Sequence, residues 1–268
     1  MLRKDLPATL TSYDILKAIA VVLMVVDHIG AYYMPENLWL RLIGRLCVPM
    51  WFFLIGYARS RDISWPLWLG AAIVIASDFI TGRYIFPLNI LVTILMVRIV
   101  IDLYMKGTMK NTLLFWSGAL VLTCLIVPSM TLMQYGTLGL LLAVFGWLIR
   151  NTEEQDPRQF TRIFPYMIFC IITVTISQWA LLQFSLAQGL LLFCGIGLVM
   201  LVLRFFRPAE FTSVPAAIKV PLQFMGRHTL SIYAVHLLLI KVAGLWLYPE
   251  NFSFGAWDWF PPPLWERY

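Results

Sequence analysis

Long runs of apolar residues, separated by short polar connections, are the feature that most constrains how this chain can fold. Nine such runs follow one another through the 268 residues, and a bilayer is crossed by about 20 residues of helix. Only 13% of the residues are charged, against roughly 25% in soluble domains, so a water-soluble globular fold is excluded. The sequence therefore predicts an all-α, polytopic integral membrane helix bundle. The runs lie at residues 12–33, 39–57, 65–80, 86–105, 112–128, 132–149, 163–184, 187–204 and 228–248.

The expected number of transmembrane helices is about nine, with eight or ten as alternatives. The third run is short and interrupted by Asp78, which would suit a half-span, and residues 211–226 form a broken amphipathic stretch. No internal repeat or linker divides the chain, so residues 1–268 are expected to form a single membrane-embedded domain. The tail contains aromatic residues typical of the membrane interface, namely Trp257, Trp259, Trp265 and Tyr268.

Lys and Arg are unevenly distributed among the connections between the runs. If the N-terminus is cytoplasmic, thirteen of them lie on the inside and two, Arg83 and Arg267, on the outside. This asymmetry follows the positive-inside rule and predicts a cytoplasmic N-terminus and an external C-terminus. The basic residues form no patch, so the expected partner is the lipid bilayer and not nucleic acid. The inside set is Arg3, Lys4, Arg59, Arg61, Lys106, Lys110, Arg150, Arg158, Arg162, Arg204, Arg207, Lys219 and Arg227.

Ionisable residues inside several of the runs carry the functional information. Each costs about 2.5 to 3.5 kcal/mol at the centre of a span, so such groups usually face a partner or a watery cavity. They occur on five of the runs, which predicts a polar interior shared by several helices. These residues are Asp14, Lys17, Asp27, His28, Arg41, Arg45, Asp78, Arg98, His236 and Lys241.

Helical phase places Lys17 and His28 on one face of the first span. Eleven residues correspond to three turns plus about 20°, and to about 16 Å along the helix axis. Small or slender residues lie between the two and would leave room for an extended ligand, whereas Asp27 is turned about 100° from His28. The simpler alternative is that Lys17 reaches the interface or pairs with Asp14, and that His28 closes the polar end of the span.

This pattern resembles the Arg-x10-His signature of the acyltransferase-3 superfamily of membrane acyltransferases, with Lys17 in place of the arginine. The closer similarity is to the TraX family, named for the membrane protein that acetylates the N-terminus of conjugative pilin. It covers both ends and roughly the first two fifths of the chain. The matching stretches are residues 13–20 with Met24, residues 27–30, residues 41–45 with Pro49, Phe52 and Gly56, residues 88–93, and residues 226–236.

The resemblance implies a multi-pass enzyme of the bacterial inner membrane that moves an acetyl group to an acceptor at the outer face. The donor would be cytoplasmic acetyl-CoA, and no metal is expected. The acceptor would be the N-terminal amine of a conjugative pilin or of another small membrane peptide. Two alternatives stay open: O-acetylation of a glycan or lipid carrier, and a proton-coupled transporter that uses the buried Asp, His and Lys groups. Transporters often contain repeated halves, and no such repeat is found.

Roles for individual residues follow from this reaction. His28 would act as general base or as a transient acetyl carrier, because an unperturbed histidine pKa of about 6.5 suits proton transfer at neutral pH. Asp27 or Asp78 would orient it, and His236 is a second candidate base. Arg45 or Tyr233 would stabilise the oxyanion of the thioester. The candidates for holding the donor are Lys17, Asp14, Arg59 and Arg98.

Overall fold

The computed structural model describes residues 8–154, 160–249, 252 and 254–261, and almost all of its regular structure is helical. Arg3, Lys4, Arg158, Arg267, Trp265 and Tyr268, which enter the predictions above, lie outside the described residues. The helices are α1 (Ser12–Tyr32), α2 (Leu38–Arg45), α3 (Cys47–Tyr57), α4 (Trp65–Ile80), α5 (Ile90–Thr108), α6 (Thr112–Cys124), α7 (Ile126–Met130), α8 (Gly136–Glu154), α9 (Phe160–Leu182), α10 (Leu186–Arg204), α11 (Ala216–Arg227) and α12 (Thr229–Leu247). Two short strands, β1 (Leu10–Thr11) and β2 (Glu210–Phe211), complete the fold.

Five helical segments of the described chain are long and apolar enough to cross a membrane. Shorter apolar helices at Trp65–Ile80, Thr112–Cys124 and Gly136–Asn151 accompany them. The predicted class, an all-α membrane bundle, is therefore confirmed, whereas the number of nine spans and the side of the N-terminus stay predictions. The five segments are Ser12–Tyr32, Leu38–Tyr57, Thr161–Leu182, Leu186–Arg204 and Thr229–Leu247.

The distribution of polarity is the reverse of that in a soluble protein. Leu103, Leu113 and Val127 are 74%, 76% and 75% exposed on the outer surface, whereas the Lys241 side chain is completely buried. An aqueous environment would favour the opposite arrangement, because exposed apolar area is unfavourable in water and a buried charge needs a partner. The outer surface of the bundle is thus suited to lipid, and its interior holds the charges.

Two predicted spans are each interrupted by a proline. The run 39–57 divides into α2 and α3 at Leu46, and the run 112–128 divides into α6 and α7 at Leu125. Pro49 cannot donate a hydrogen bond to the carbonyl of Arg45, and Pro128 cannot donate to that of Cys124, so each helix breaks just before its proline. The first break ends α2 at Arg45, a residue of the candidate site.

Helix α8 forms the centre of the bundle and packs closely on α3. It is apolar on nearly all sides, and Leu138, Leu141 and Phe145 are completely buried. The contact depends on glycine: a Cβ atom at Gly56 would lie 1.7 Å from the carbonyl oxygen of Ala143. Small residues allow helix backbones to approach in this way, as is common within membranes.

A short antiparallel ladder connects the start of α1 to the segment after α10. Leu10 pairs with Phe211 and Thr11 with Glu210, and the Ser12 amide donates to the carbonyl of Ala209 at 2.9 Å. Helix α11, which contains Pro221, then follows in the region of the predicted amphipathic stretch and leads into α12. The ladder therefore holds the beginning of α1 beside the end of α10.

Because the α3–α8 contact leaves no space for a side chain, we expect Gly56→Ala to destabilise the bundle. The added methyl must displace the α8 backbone, and such overpacking typically costs about 1 to 3 kcal/mol. Thermal unfolding of the purified protein in detergent, followed by tryptophan fluorescence, measures the effect. Gly197→Ala is the matched control, because no atom lies within 4 Å of a Cβ placed there. Equal melting temperatures for the two variants would contradict the prediction.

Candidate functional site

A cavity of about 320 Å³, here called the central cavity, lies between α1, α3, α5 and α12. Its wall is mainly apolar and includes Leu54, Leu91 and Leu230. Lys17 and His28 both line it, with Met24 on the wall as well, so the predicted common face of α1 is present in the structure. An apolar cavity with a few converging polar groups is the usual form of a small-molecule site. The other polar groups on the wall include Asp27, Arg98, Gln134, Tyr135 and Tyr233.

A second cavity of about 520 Å³, here called the vestibule, adjoins the central cavity beside the β1–β2 ladder. Among the described residues, Tyr13 and Lys17 line both cavities, so these two side chains stand where the cavities meet. The vestibule lies at the N-terminal end of α1, which the charge pattern predicts to be cytoplasmic. The two cavities together therefore extend from that end of the bundle, past Lys17, to His28.

The two histidines proposed for catalysis are in direct contact. His28 Nδ1 lies 2.8 Å from His236 Nε2, and His236 Nδ1 lies 2.7 Å from the carbonyl oxygen of Ile232. A contact between residues 208 positions apart brings α1 and α12 together at this point. The contact joins two residues that were each predicted separately as a candidate base.

The carbonyl oxygen of Ile232 determines where the protons of this pair lie. A carbonyl can only accept, so His236 Nδ1 carries a proton and, in the neutral ring, Nε2 is an acceptor. His28 Nδ1 must then donate to His236, which leaves the lone pair on His28 Nε2. Within the described part of the chain, that nitrogen has no hydrogen-bond partner. The arrangement thus presents an unprotonated nitrogen on a ring that lines the central cavity.

Asp27 binds two arginines and does not contact His28. Its carboxylate lies 3.0 Å from Arg41 Nη1 and 3.6 Å from Arg45 Nε, and Arg41 also donates to the Asp27 backbone carbonyl at 2.9 Å. Arg45, which is buried and therefore needs a partner, finds one in Asp27. The orientation of His28, by contrast, comes from His236, because the Asp27 side chain points towards α2.

Asp78, the other acidic candidate for orienting His28, is paired elsewhere. Its carboxylate lies 2.6 Å from Lys241 Nζ, which also donates to Ser77 Oγ at 2.9 Å. Lys241 is fully buried, so this ion pair supplies the partner that a charge in an apolar interior requires. The pair connects α4 to α12, the helix that carries His236.

Lys17 and Arg98 bring positive charge to the central cavity. Both line it and they repel one another electrostatically, although the attraction between Lys17 and Asp14 is stronger. Arg98 donates to the backbone carbonyl of Asp62 at 2.6 Å, and its buried Nε atom has no hydrogen-bond partner among the described residues. In the same part of the chain, no carboxylate forms an ion pair with Lys17. The two cations therefore favour an anionic ligand at this point.

Asp14 and Arg59 occupy different positions from Lys17. Asp14 lines the vestibule, but its carboxylate pairs with Arg227 at 3.2 Å and caps α1 by accepting from the Thr11 amide at 3.1 Å. Arg59 is exposed just after α3 and does not belong to the described walls of either cavity. Asp14 thus stabilises the start of α1 beside the vestibule, and Arg59 lies outside the described walls of both cavities.

Tyr233 and two residues outside every predicted motif complete the cavity wall. The Tyr233 ring packs against both imidazoles, with centroid distances of 6.0 Å to His28 and 5.8 Å to His236. Gln134 and Tyr135, from the connection between α7 and α8, also line the cavity. Arg45 Nη1 donates a short hydrogen bond to the Tyr135 hydroxyl. The only sequence signal for this segment is the Tyr135–Gly136 turn, which by itself indicates no chemistry.

Comparison with known proteins agrees with the similarity suggested by the motifs. The family model described as TraX protein matches residues 12–243, which include α1, most of α12 and all the residues that line the central cavity. An uncharacterized protein of Rickettsia prowazekii (strain Madrid E) is 24% identical over 256 residues, covering 92% of this chain and 97% of the relative. No solved structure matches. Because the family model spans most of the sequence, from the first helix to the last, the chain belongs to the TraX family.

Proposed function

We propose that this protein is an acetyl-CoA-dependent membrane acetyltransferase whose general base is His28. The observation that carries the proposal is the Nε2 lone pair of His28, oriented by His236 and the Ile232 carbonyl, on the wall of a cavity that adjoins the vestibule. The family supports the same reaction, since TraX proteins are associated with pilin acetylation. The resemblance to the acyltransferase-3 superfamily also supports it, through the positions of Lys17 and His28.

The donor would enter through the vestibule from the cytoplasm. Its phosphates are strongly anionic and would stay near Lys17 and Arg98, two cations with no carboxylate ion pair in the described structure. The uncharged pantetheine arm would then pass along the apolar wall, with the thioester reaching His28. This placement of the donor matches the chemistry of the site, because positive charge binds phosphate and apolar surface holds the neutral arm.

The chemical step would be direct attack of the acceptor on the thioester. The acceptor nitrogen forms a bond to the carbonyl carbon while His28 Nε2 takes its proton, and the carbonyl oxygen becomes an oxyanion. When the oxyanion collapses, the carbon–sulfur bond breaks, and the imidazolium returns the proton to the departing thiolate. His236 accepts from His28 Nδ1–H throughout, so it stabilises the imidazolium and keeps the ring in one orientation.

The acceptor would be the N-terminal amine of a conjugative pilin, arriving from the external side. The far end of the central cavity is formed by Ile90, Gln134 and Tyr135, from segments that the charge pattern predicts to lie near the outer face. A small membrane peptide could reach this end from the bilayer. O-acetylation of a glycan or lipid carrier would use the same base with a hydroxyl in place of the amine.

Removal of the base should abolish transfer. We expect His28→Ala to lower kcat by about 10²- to 10⁴-fold, because general-base catalysis contributes rate factors of this size. The assay follows labelled acetyl from acetyl-CoA in inverted membrane vesicles with co-expressed pilin. His228→Ala is the matched control, since His228 belongs to the wall of neither described cavity. A His28→Ala variant that keeps the wild-type kcat would exclude the mechanism, and label on lipid or glycan would change the acceptor. Absence of acetyl-CoA turnover with every acceptor would favour transport.

The role of His236 can be separated from a purely structural one. His236→Leu removes the acceptor for His28 Nδ1–H, and a loss of orientation of this kind typically costs about 100-fold in kcat. His236→Gln places an amide oxygen in the same region and should restore part of that loss. Both variants are compared for kcat, for KM of acetyl-CoA and for melting temperature. Equal activity of the two variants, at equal stability, would show that His236 does not act through its hydrogen bond.

The phosphate-binding role of Lys17 predicts a defect that depends on the donor. We expect Lys17→Ala to raise the KM for acetyl-CoA about tenfold or more, as loss of a charged hydrogen bond does, and Lys17→Arg to raise it less. With acetylpantetheine, which lacks the nucleotide and its phosphates, wild type and Lys17→Ala should behave alike. A similar defect with both donors would assign Lys17 to another role.

A further inference from the structure

The connection between α7 and α8 is held rigidly against the start of α5. The Leu88 amide donates to the carbonyl of Leu132 at 3.0 Å, and the Gln134 amide donates to the carbonyl of Leu88 at 2.8 Å. Thr93 Oγ1 adds a hydrogen bond to the Gln134 carbonyl at 2.5 Å. These contacts fix the backbone immediately before the next residue, which is Tyr135.

Tyr135 has a backbone conformation that is rare for a bulky residue. Its φ is +66°, in the left-handed region, and such residues cost of order 1 to 3 kcal/mol each. Gly136 continues the turn with φ +44°, where a Cβ would lie 2.1 Å from Ser129 Oγ. Observed strain of this kind often marks a functional position. Here the turn brings the Tyr135 side chain to the wall of the central cavity.

The hydrogen bonds of the Tyr135 hydroxyl leave its proton available. The oxygen accepts from Arg45 Nη1, and the Arg45 guanidinium lies over the Tyr135 ring at 5.6 Å. Among the described residues, no acceptor binds the hydroxyl proton. A hydroxyl that accepts from a cation is polarised and becomes a stronger donor. Arg45 itself is not part of the described cavity wall, so its charge reaches the cavity through the tyrosine.

From this geometry we propose that Tyr135 is a catalytic residue that donates a hydrogen bond to the oxyanion formed during acetyl transfer, with Arg45 as its positioning residue. The assignment rests on the proposed function. As the acceptor nitrogen bonds to the thioester carbon and His28 takes its proton, the electron pair of the carbonyl π bond moves to oxygen. The Tyr135 O–H stabilises that charge until the carbonyl re-forms and the thiolate leaves with the proton held by His28. Tyr135 thus takes the oxyanion-binding role that was expected for Arg45 or Tyr233, and Arg45 acts through Tyr135.

The test is Tyr135→Phe, which removes the donor and keeps the ring packed between Arg45 and Phe52. We expect kcat to fall about 100-fold, as when one oxyanion donor is lost, with the KM for acetyl-CoA unchanged. The melting temperature should fall moderately, because the buried Arg45 loses its hydrogen-bond acceptor. Tyr166→Phe is the matched control: it removes a buried hydroxyl that bonds the Leu141 carbonyl at 2.9 Å, away from the cavity, and should leave kcat unchanged.

The outcomes separate this assignment from the proposed function. If wild type transfers acetyl and His28→Ala does not, but Tyr135→Phe retains full kcat, Tyr135 is not the oxyanion donor while the general base stands. A 100-fold loss in Tyr233→Phe without a loss in Tyr135→Phe would assign the donor to Tyr233. Absence of transfer by wild type would overturn the proposed function, and the Tyr135 assignment with it.

Discussion

Charges buried in an apolar interior must be paired, and this constraint determines how the helices around the cavity are arranged. Asp27 on α1 is neutralised by Arg41 and Arg45, one helical turn apart on α2. The approach is possible because Gly44 faces the same point: a Cβ there would lie 2.3 Å from the Cβ of Asp27. Removing one member of such a buried group leaves an uncompensated charge, which is strongly destabilising. The Pro49 break, which ends α2 at Arg45, therefore lies next to the contact that holds α1 in place.

A second buried ion pair, Lys241 with Asp78, holds α12 in place. Lys241, with Asp78 and Ser77, connects α12 to α4, while Asp27 connects α1 to α2. The two histidines lie near these anchors, one residue from Asp27 and five from Lys241. Because each helix is fixed by its own ion pair, His28 and His236 meet with little freedom to separate. Asp27 and Asp78, which were predicted to orient His28 directly, thus set the geometry of the histidine pair through the helices that they connect.

The sequence predicted the parts of this arrangement that depend on local periodicity. The common face of Lys17 and His28 follows from helical phase. The breaks before Pro49 and Pro128 were not predicted, although the chemistry of proline explains them. The His28–His236 contact has no local signal, because it joins residues from opposite ends of the chain. Tyr135 was missed for a related reason: its position depends on long-range hydrogen bonds to Leu88 and Thr93, and its motif is only a Tyr–Gly turn.

If the protein is an acetyltransferase as proposed, the distribution of charge along the cavity would allow one bundle to bind two substrates from opposite sides. Under the proposed reaction, the anionic part of the donor remains at Lys17 and Arg98, so the phosphates never enter the apolar section beyond them. Only the neutral arm and the acetyl group travel to His28. The proton taken from the acceptor is returned to the thiolate, so the membrane interior gains no net charge in a turnover. The transient oxyanion is the one new charge in the cavity, and it would form where Arg45 already supplies an excess of positive charge through Tyr135.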